Sequence, residues 1–216
     1  MYIKTLLPKT HIRTIILLHG MNQDISEMLN ITKYINKHKK GNKFIIPIAD
    51  KIDIDWPDGK EKNISSWYNY FTRYDNKVKH DIIDTVQLKN ITSEIVSIIK
   101  NESKIVDPSN ISLIGISQGG TVCINAALML NFKIKNVICV DTIFLHTYFD
   151  FKFFKNNSCK DFKVFQSSRD TIYNPFFQDY CYDILRNYNK TIEKKIFNLS
   201  HCENMNTIAN FIILYL

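Results

Sequence analysis

The segment ISLIGISQGG, residues 111–120, is the most informative stretch of this 216-residue chain. Its apolar first half has the composition of a buried strand, and its second half fits the pattern G-x-S-x-G at Gly115, Ser117 and Gly119. In a sharp strand-to-helix turn, side chains two residues before and after the serine would collide, so glycine is needed there. We therefore predict that Ser117 stands on such a turn, above the edge of a sheet.

Apolar, β-rich runs alternate with segments of helical periodicity on both sides of this turn. Such alternation is typical of the α/β class, with a mostly parallel central sheet flanked by helices on both faces. The length suits one core, so we expect a single domain over residues 1–216. Residues 51–81 do not follow this alternation of strands and helices, so we predict a long excursion of the chain away from the sheet there. The predicted strands are residues 14–18, 43–49, 111–114, 136–140, 163–166 and 191–197, and the predicted helices are residues 25–35, 88–98, 122–130, 175–188 and 205–216.

The formal net charge is +7 at pH 7, a balance that also occurs in proteins that bind nucleic acid or anionic membranes. Here the lysines are spread along the chain without a basic, aromatic-interleaved stripe, so we expect no nucleic-acid partner. No apolar run approaches the length of a membrane span, and we expect no stable membrane insertion. The five cysteines are odd in number, scattered and without metal-site spacing, which indicates reduced thiols and a cytoplasmic protein.

A serine hydroxyl is a weak nucleophile until a base takes its proton, so Ser117 needs a histidine within reach. When the nucleophile occupies such a turn, an acid and then a histidine follow in the sequence, each after a later strand. His201 follows the last predicted strand and is the expected general base. Asp141 and Asp170 each follow a strand. We favour Asp170 as the acid because the acid more often lies in the turn nearer the histidine, and Asp141 is the competitor.

Negative charge that develops on a carbonyl oxygen needs fixed donors, and backbone amides are the usual ones. The amide of Gln118, directly after Ser117, is one candidate. The amide of Met21, in the turn after the first predicted strand, is the other candidate for this oxyanion hole. His19, just before that turn, is expected to brace the loop.

Four stretches, taken together, resemble a known family. They are LLHGM at residues 17–21, PSNISLIGISQGG at residues 108–120 with the apolar helix after it, DTIY at residues 170–173, and His201 before the last helix. The family is the phospholipase/carboxylesterase group of α/β-hydrolases, which includes the acyl-protein thioesterases. The triplet SWY at residues 66–68 is also similar to the family's pattern.

The resemblance implies a compact α/β-hydrolase fold without a large cap domain, and a serine hydrolase that needs no metal or organic cofactor. Its substrate would be a carboxylic ester or thioester, carried by a small molecule, a lysophospholipid or an acylated protein. The chain departs from the acyl-protein thioesterase pattern at residues 22–24 (NQD) and at residues 167–169 (SSR). These departures leave the substrate more open than the chemistry, and the sequence leaves the oligomeric state open.

Residues 144–154 are rich in aromatic side chains and come just past a strand end, on the side where ligands bind in such sheets. Phe144, Leu145 and Phe149 are expected to line an acyl channel or form a lid, with filling of the core as the alternative. Trp67 is expected to contact substrate as well. Two other functions stay open, a non-catalytic small-molecule binding protein on the same fold and an acyltransferase that uses the same serine.

Overall fold

The computed structural model describes residues 1–72, 82–150, 152, 161–188 and 191–216. Within these ranges the strands are β1 (Tyr2–Leu6), β2 (Arg13–Leu18), β3 (Asn42–Ile48), β4 (Lys51–Trp56), β5 (Gly59–Ser65), β6 (Ile111–Ile116), β7 (Asn136–Val140), β8 (Phe162–Ser167) and β9 (Ile192–Phe197). The helices are α1 (Ile25–His38), α2 (Thr85–Glu102), α3 (Gln118–Met129), α4 (Pro175–Tyr188) and α5 (Met205–Tyr215).

Seven strands form the central sheet, in the order β1-β3-β2-β6-β7-β8-β9. β1 runs antiparallel to β3, and the other neighbouring pairs of this sheet are parallel. Helices α1 and α5 cover one face, and α2, α3 and α4 cover the other. The predicted α/β class is thereby confirmed. Because β2, β6, β7, β8 and β9 are parallel, their carboxyl ends lie along one side of the sheet, which we call the carboxyl edge.

The six predicted strands are all present, with ends shifted by at most two residues. Three helices differ more from the predicted ranges: α1 ends three residues later, α2 is longer at both ends, and α3 begins four residues earlier, directly after Ser117. Polar caps mark the starts of α1 and α2. Asp24 accepts a hydrogen bond from the Ser26 amide at the start of α1, and Asp84 accepts from the Val86 and Gln87 amides at the start of α2. Across the described residues, none of the helices combines the length and the apolar character needed to cross a bilayer.

Three strands were not predicted: β1 and β5 are largely exposed, and β4 is only partly buried. β1 is an edge strand, and β4 and β5 form an antiparallel hairpin within the excursion at residues 51–81. Strands with little burial carry few apolar residues and leave a weak period-2 signal. The excursion is therefore in part a hairpin, and residues 73–81 lie outside the described residues.

Among the described residues, Cys123, Cys139, Cys181 and Cys202 form no disulfide with one another. Burial raises the pKa of Cys139 to about 12 and raises the pKa of Cys123 well above its ordinary value. Because the thiolate is the reactive form and a raised pKa keeps the thiol protonated, these two cysteines are weakly reactive. Cys159 lies outside the described residues.

Close backbone contacts at two glycines hold α3 against the sheet. A Cβ atom at Gly119 would lie 2.4 Å from the carbonyl oxygen of His19, and one at Gly115 would lie 2.4 Å from the Cα of Gly120. No side chain fits either place, so only glycine lets the end of β2 and the start of α3 approach this closely.

We expect Gly119→Ala to lower the free energy of unfolding by about 2 kcal/mol or more, because backbone must move to admit the methyl group. Gly20→Ala is the comparison variant and should cost less, since its methyl group would meet side-chain atoms only, Oε1 of Gln23 at 3.0 Å and Cβ of Ser117 at 3.1 Å. Urea unfolding of both variants measures the difference. Equal losses would contradict the proposed backbone contact.

Candidate active site

The carboxyl edge brings together residues that are far apart in the sequence. Ser117 follows β6 and Asp141 follows β7. Asp170 follows β8, His201 follows β9, and Met21 lies in the turn after β2. The residues singled out by sequence therefore meet at one place because the strands that precede them are parallel neighbours.

Ser117 occupies the strand-to-helix turn in a left-handed conformation, with φ of 49°. Its amide donates to the carbonyl of Val140 (2.8 Å), and its carbonyl accepts from the Thr142 hydroxyl (2.6 Å) and the Gly120 amide (2.9 Å). A non-glycine residue in this region is strained, and it persists where surrounding contacts hold it. These three hydrogen bonds fix the turn, while the side chain of Ser117 stays partly exposed.

The side chains of Ser117, His201 and Asp170 form a continuous chain of hydrogen bonds. Nε2 of His201 lies 2.9 Å from Oγ of Ser117, and Nδ1 lies 2.7 Å from Oδ2 of Asp170. Because an ionised carboxylate only accepts hydrogen bonds, the ring proton belongs on Nδ1, which leaves Nε2 free to accept from the serine hydroxyl. The Asp170 side chain is fully buried, whereas that of His201 is 17% exposed, so the imidazole faces the outside.

Asp170 is fixed by three further donors. Its Oδ1 accepts from the amides of Ile172 and Tyr173, both at 2.8 Å, and its Oδ2 accepts from Nε2 of Gln178 at 3.1 Å. Sequence reasoning did not identify Gln178. It lies beside the apolar stripe of α4 and is fully buried, and no sequence motif marks a polar residue that reaches back to a loop.

Asp141, the competing acid, makes no hydrogen bond to the His201 ring. Its Oδ1 accepts from the Ser167 amide (2.7 Å), and its Oδ2 accepts from the Ser167 hydroxyl and the Cys202 amide (both 2.8 Å). Burial raises the pKa of the Asp141 carboxyl, hydrogen bonds and His201 oppose the rise, and nearby Asp170 adds to it. Of the two aspartates, Asp170 is therefore the one that contacts Nδ1.

The two backbone amides expected from the sequence to form an oxyanion hole belong to Gln118 and Met21, which both line the cavity at Ser117. Gln118 is the first residue of α3, and Met21 lies in the turn after β2. Among the described residues, neither amide donates to a protein acceptor, and both residues line the same small cavity as Ser117. The positive end of the α3 dipole lies at this point as well.

Buried hydrogen bonds made by His19 and Trp67 hold the loop that carries Met21; we call them the buried brace. His19 donates from Nδ1 to the Gly20 carbonyl (2.7 Å) and accepts at Nε2 from the Ala49 amide (3.0 Å). Burial lowers the pKa of His19, so it stays neutral in the tautomer that this pair of bonds requires. Trp67 donates from its indole nitrogen to the His19 carbonyl (2.7 Å), and its amide donates to Oε1 of Gln118 (2.9 Å).

A cavity of about 70 Å³ opens at Ser117. Its walls include Trp56, Tyr70, Ile172 and Tyr173. The hydroxyl groups of Tyr70 and Tyr173 lie 3.0 Å apart, and the rings of Trp56 and Tyr70 stack with centroids 5.7 Å apart. Residues 51–81 are unusual in the sequence, but no motif there assigns Trp56 or Tyr70 to the site. The hairpin β4–β5 brings Trp56 there.

The side chains expected to bind substrate lie elsewhere. Phe144, Leu145, Phe149 and Trp67 are 0%, 3%, 7% and 4% exposed, and they belong to the core on the α2–α3–α4 face. None of the four lines the described part of the cavity at Ser117. A short 3-10 turn, His146–Tyr148, directs Phe144 and Phe149 against each other, with centroids 5.8 Å apart. The burial of these side chains agrees with the alternative of core filling, although Phe149 also lines a separate cavity of about 500 Å³ beside α2 and α3. An acyl channel or lid formed by this stretch stays a prediction, and residues 151 and 153–154 lie outside the described residues.

One group in the described part of the chain has several potential metal-ligating atoms within 4.8 Å of one another: Asp141, His201 and Cys202. Both ring nitrogens of His201 and both oxygens of Asp141 are already engaged in hydrogen bonds. Burial also raises the pKa of the Cys202 thiol well above its ordinary value, which disfavours the thiolate that a metal would need. We assign no metal site to this group.

The fold, with Ser117 raised on the turn between a central strand and its helix, defines an α/β-hydrolase. The chain belongs to the phospholipase/carboxylesterase family, whose sequence model matches residues 8–216. A search of the curated proteins finds no sequence that matches this chain.

Solved structures share the fold at low sequence identity. SOBER1 of Arabidopsis thaliana is 16% identical with a TM-score of 0.76, and the match covers 94% of this chain and 98% of that one. Acyl-protein thioesterase 2 of Zea mays is 12% identical with a TM-score of 0.73, covering 99% and 98%. A carboxylesterase of Bacillus cereus is 16% identical with a TM-score of 0.69, covering 99% and 93%. The family points to a serine hydrolase of the esterase type, and the solved structures show the shared fold.

We expect His19→Ala to lower the free energy of unfolding by about 2 kcal/mol, because the Ala49 amide and the Gly20 carbonyl lose a buried partner. The variant should also be less sensitive to acid. Since the pKa of His19 is lowered by folding, its stabilising effect is present above pH 6.5 and is lost as the pH falls toward the folded value. Urea unfolding at about pH 7.5 and about pH 5.5 measures both effects.

His38→Ala is the control for this experiment, since His38 is exposed on α1 and contacts the ring of Tyr34. It should change neither the stability nor its pH dependence appreciably. An unchanged acid sensitivity in His19→Ala would show that His19 is not the group responsible.

Proposed function

We propose that this protein hydrolyses carboxylic esters or thioesters through an acyl-enzyme on Ser117. The observation that supports this most strongly is the chain of two hydrogen bonds, 2.9 Å from Ser117 to His201 and 2.7 Å from His201 to Asp170. Hydroxyl, imidazole and carboxylate in this order are what proton transfer from a serine requires. We take residues 1–216 as one catalytic domain, and we place it in the cytoplasm because its cysteines are scattered and lack a disulfide pattern.

In the first half-reaction, Oγ of Ser117 attacks the carbonyl carbon of the substrate as Nε2 of His201 takes the hydroxyl proton. The carboxylate of Asp170 stabilises the imidazolium and holds the ring in position. The carbonyl oxygen becomes an oxyanion, which accepts hydrogen bonds from the amides of Met21 and Gln118. Both amides are fixed before reaction by the buried brace around His19, so little reorganisation is needed.

The tetrahedral intermediate collapses when its bond to the leaving oxygen or sulfur breaks. His201 donates its proton to that atom, an alcohol or thiol departs, and the acyl group remains on Ser117. A water molecule then loses a proton to His201 and attacks the acyl carbon. Collapse of the second intermediate releases a carboxylic acid and returns the proton to Ser117.

The cavity favours a short acyl group as the part of the substrate bound next to Ser117. Its volume is about 70 Å³, and two of its walls are aromatic side chains joined by the contact between the Tyr70 and Tyr173 hydroxyls. A large leaving group would lie outside, so small-molecule esters, lysophospholipids and acylated proteins all remain within the proposed substrate class.

Ser117→Ala and His201→Ala should each lower ester hydrolysis by about four orders of magnitude, because either change removes the proton-transfer pair. Asp170→Asn should lower it by about three to four orders of magnitude, since an amide favours the wrong imidazole tautomer. Turnover of an activated ester such as a 4-nitrophenyl ester measures all three. Retained turnover in Ser117→Ala would remove this serine from the mechanism.

A fluorophosphonate probe provides a test that is independent of the substrate. It should label the wild-type protein and Ser109→Ala, in which an exposed serine before β6 is changed, but not Ser117→Ala. Labelling of Ser117→Ala would place the reactive nucleophile elsewhere. A protein that binds esters without cleaving them would fail to react at all.

We expect kcat/KM for a four-carbon acyl ester to exceed that for a sixteen-carbon ester by about tenfold or more, because the cavity cannot hold the longer chain. Trp56→Ala should narrow this ratio by removing a wall. The comparison uses one leaving group throughout, so that only the acyl chain varies. Equal rates across chain lengths would argue against the cavity as the acyl site.

A further inference from the structure

Asp141 is a buried charged residue that the mechanism above does not use. It lies directly after β7, its side chain has no exposed surface, and its backbone is left-handed with φ of 42°. Burial of a carboxylate and left-handed backbone at a non-glycine residue both cost stability. A residue that combines the two costs at the edge of an active site is a candidate for a role in that site.

The hydrogen bonds of Asp141 favour the ionised carboxylate and so oppose the burial that raises its pKa. Oδ1 receives the Ser167 amide and Oδ2 receives the Cys202 amide, so each oxygen faces a group that can only donate. The Ser167 hydroxyl adds a third contact at 2.8 Å. An asparagine at this position would have to turn its NH₂ group toward one of the two amides, which would lose its acceptor.

The segment Val140–Asp141–Thr142 holds both halves of the proton-transfer pair. Its first and last residues bond the main chain of Ser117, through the Val140 carbonyl (2.8 Å) and the Thr142 hydroxyl (2.6 Å). Its middle residue bonds the amide of Cys202 (2.8 Å), the residue directly after His201. Cys202 itself has a left-handed backbone, with φ of 51°. The nucleophile and the base are thus tied to three consecutive residues.

A carboxylate oxygen of Asp141 lies within 4.8 Å of a ring nitrogen of His201. The other ionisable groups around this pair are Asp170 after β8, Tyr182 on α4, the Cys202 thiol, and Glu27 of α1, which acts on Cys202. None of these groups is a cation, so the imidazolium is the positive charge that Asp141 can stabilise. An opposite charge at this distance favours the protonated ring.

We propose that Asp141 is a positioning residue for the reaction at Ser117. Its carboxylate fixes the turn that carries His201, and it supplies a second negative charge within 4.8 Å of the imidazole. This inference rests on the proposed function of Ser117 and His201. It assigns to Asp141 a role distinct from that of Asp170, which contacts the ring directly.

Asp141→Asn tests the proposal, and Ser167→Ala is the matched control. The control removes one hydrogen bond to the same carboxylate but keeps its charge and its bond to Cys202. We expect Asp141→Asn to lower kcat about 100-fold with KM changed much less, because a displaced base impairs proton transfer more than binding. Ser167→Ala should lose far less activity. Both are assayed well below their melting temperatures.

The decisive measurement is the titration of the His201 ring by NMR, which does not depend on turnover. Its signals are assigned by their absence in His201→Ala. We expect the midpoint to fall by about one pH unit in Asp141→Asn, and to stay unchanged in Ser167→Ala. The acid limb of the kcat/KM profile of the Asn variant should move in the same direction. A residue that only filled space would leave both midpoints unchanged.

An unchanged His201 midpoint in Asp141→Asn, or an equal shift in Ser167→Ala, would overturn the proposal. If the Asn variant does not fold, Asp141→Ser replaces it, and failure of both to fold would assign Asp141 to stability alone. An inactive wild-type protein, or full activity of Ser117→Ala, would instead reject the proposed function. In that case the NMR titration still tests the contact between Asp141 and His201.

Discussion

The close contact between the start of α3 and the end of β2 is the constraint on which the site depends. Because Gly119 lies against the carbonyl of His19, the turn that bears Ser117 is in contact with the loop that bears Met21. One backbone contact thereby brings the serine and both candidate oxyanion donors into the same small volume. The buried brace of His19 and Trp67 then fixes this arrangement from the other side.

The sequence was sufficient to predict the sheet and the residues along its carboxyl edge, because both follow from strong local signals. Buried parallel strands are continuous apolar runs, and G-x-S-x-G marks the turn at Ser117. Chain order then identified His201 and favoured Asp170 over Asp141, and the structure places both next to each other with Ser117. Exposed elements such as β1 and the hairpin β4–β5 lack a comparable signal.

The walls of the cavity could not be predicted, because they depend on how distant loops pack. Trp56 lies in the cavity wall because the hairpin β4–β5 carries it there, and Tyr173 lies in the wall because it belongs to the turn after Asp170. Phe144 and Phe149 have the composition expected of a binding surface, yet a short turn directs them into the core. Composition near a strand end indicates a region of interest, whereas the direction of each side chain is set by tertiary contacts.

The ends of two adjacent strands, β7 and β8, each present a carboxylate to the same imidazole, one in direct contact and one within 4.8 Å. Main-chain amides fix both anions: those of Ile172 and Tyr173 hold Asp170, and those of Ser167 and Cys202 hold Asp141. The electric field at the ring is therefore set by the backbone of neighbouring strand ends, which gives it little freedom to fluctuate with the motion of surface side chains.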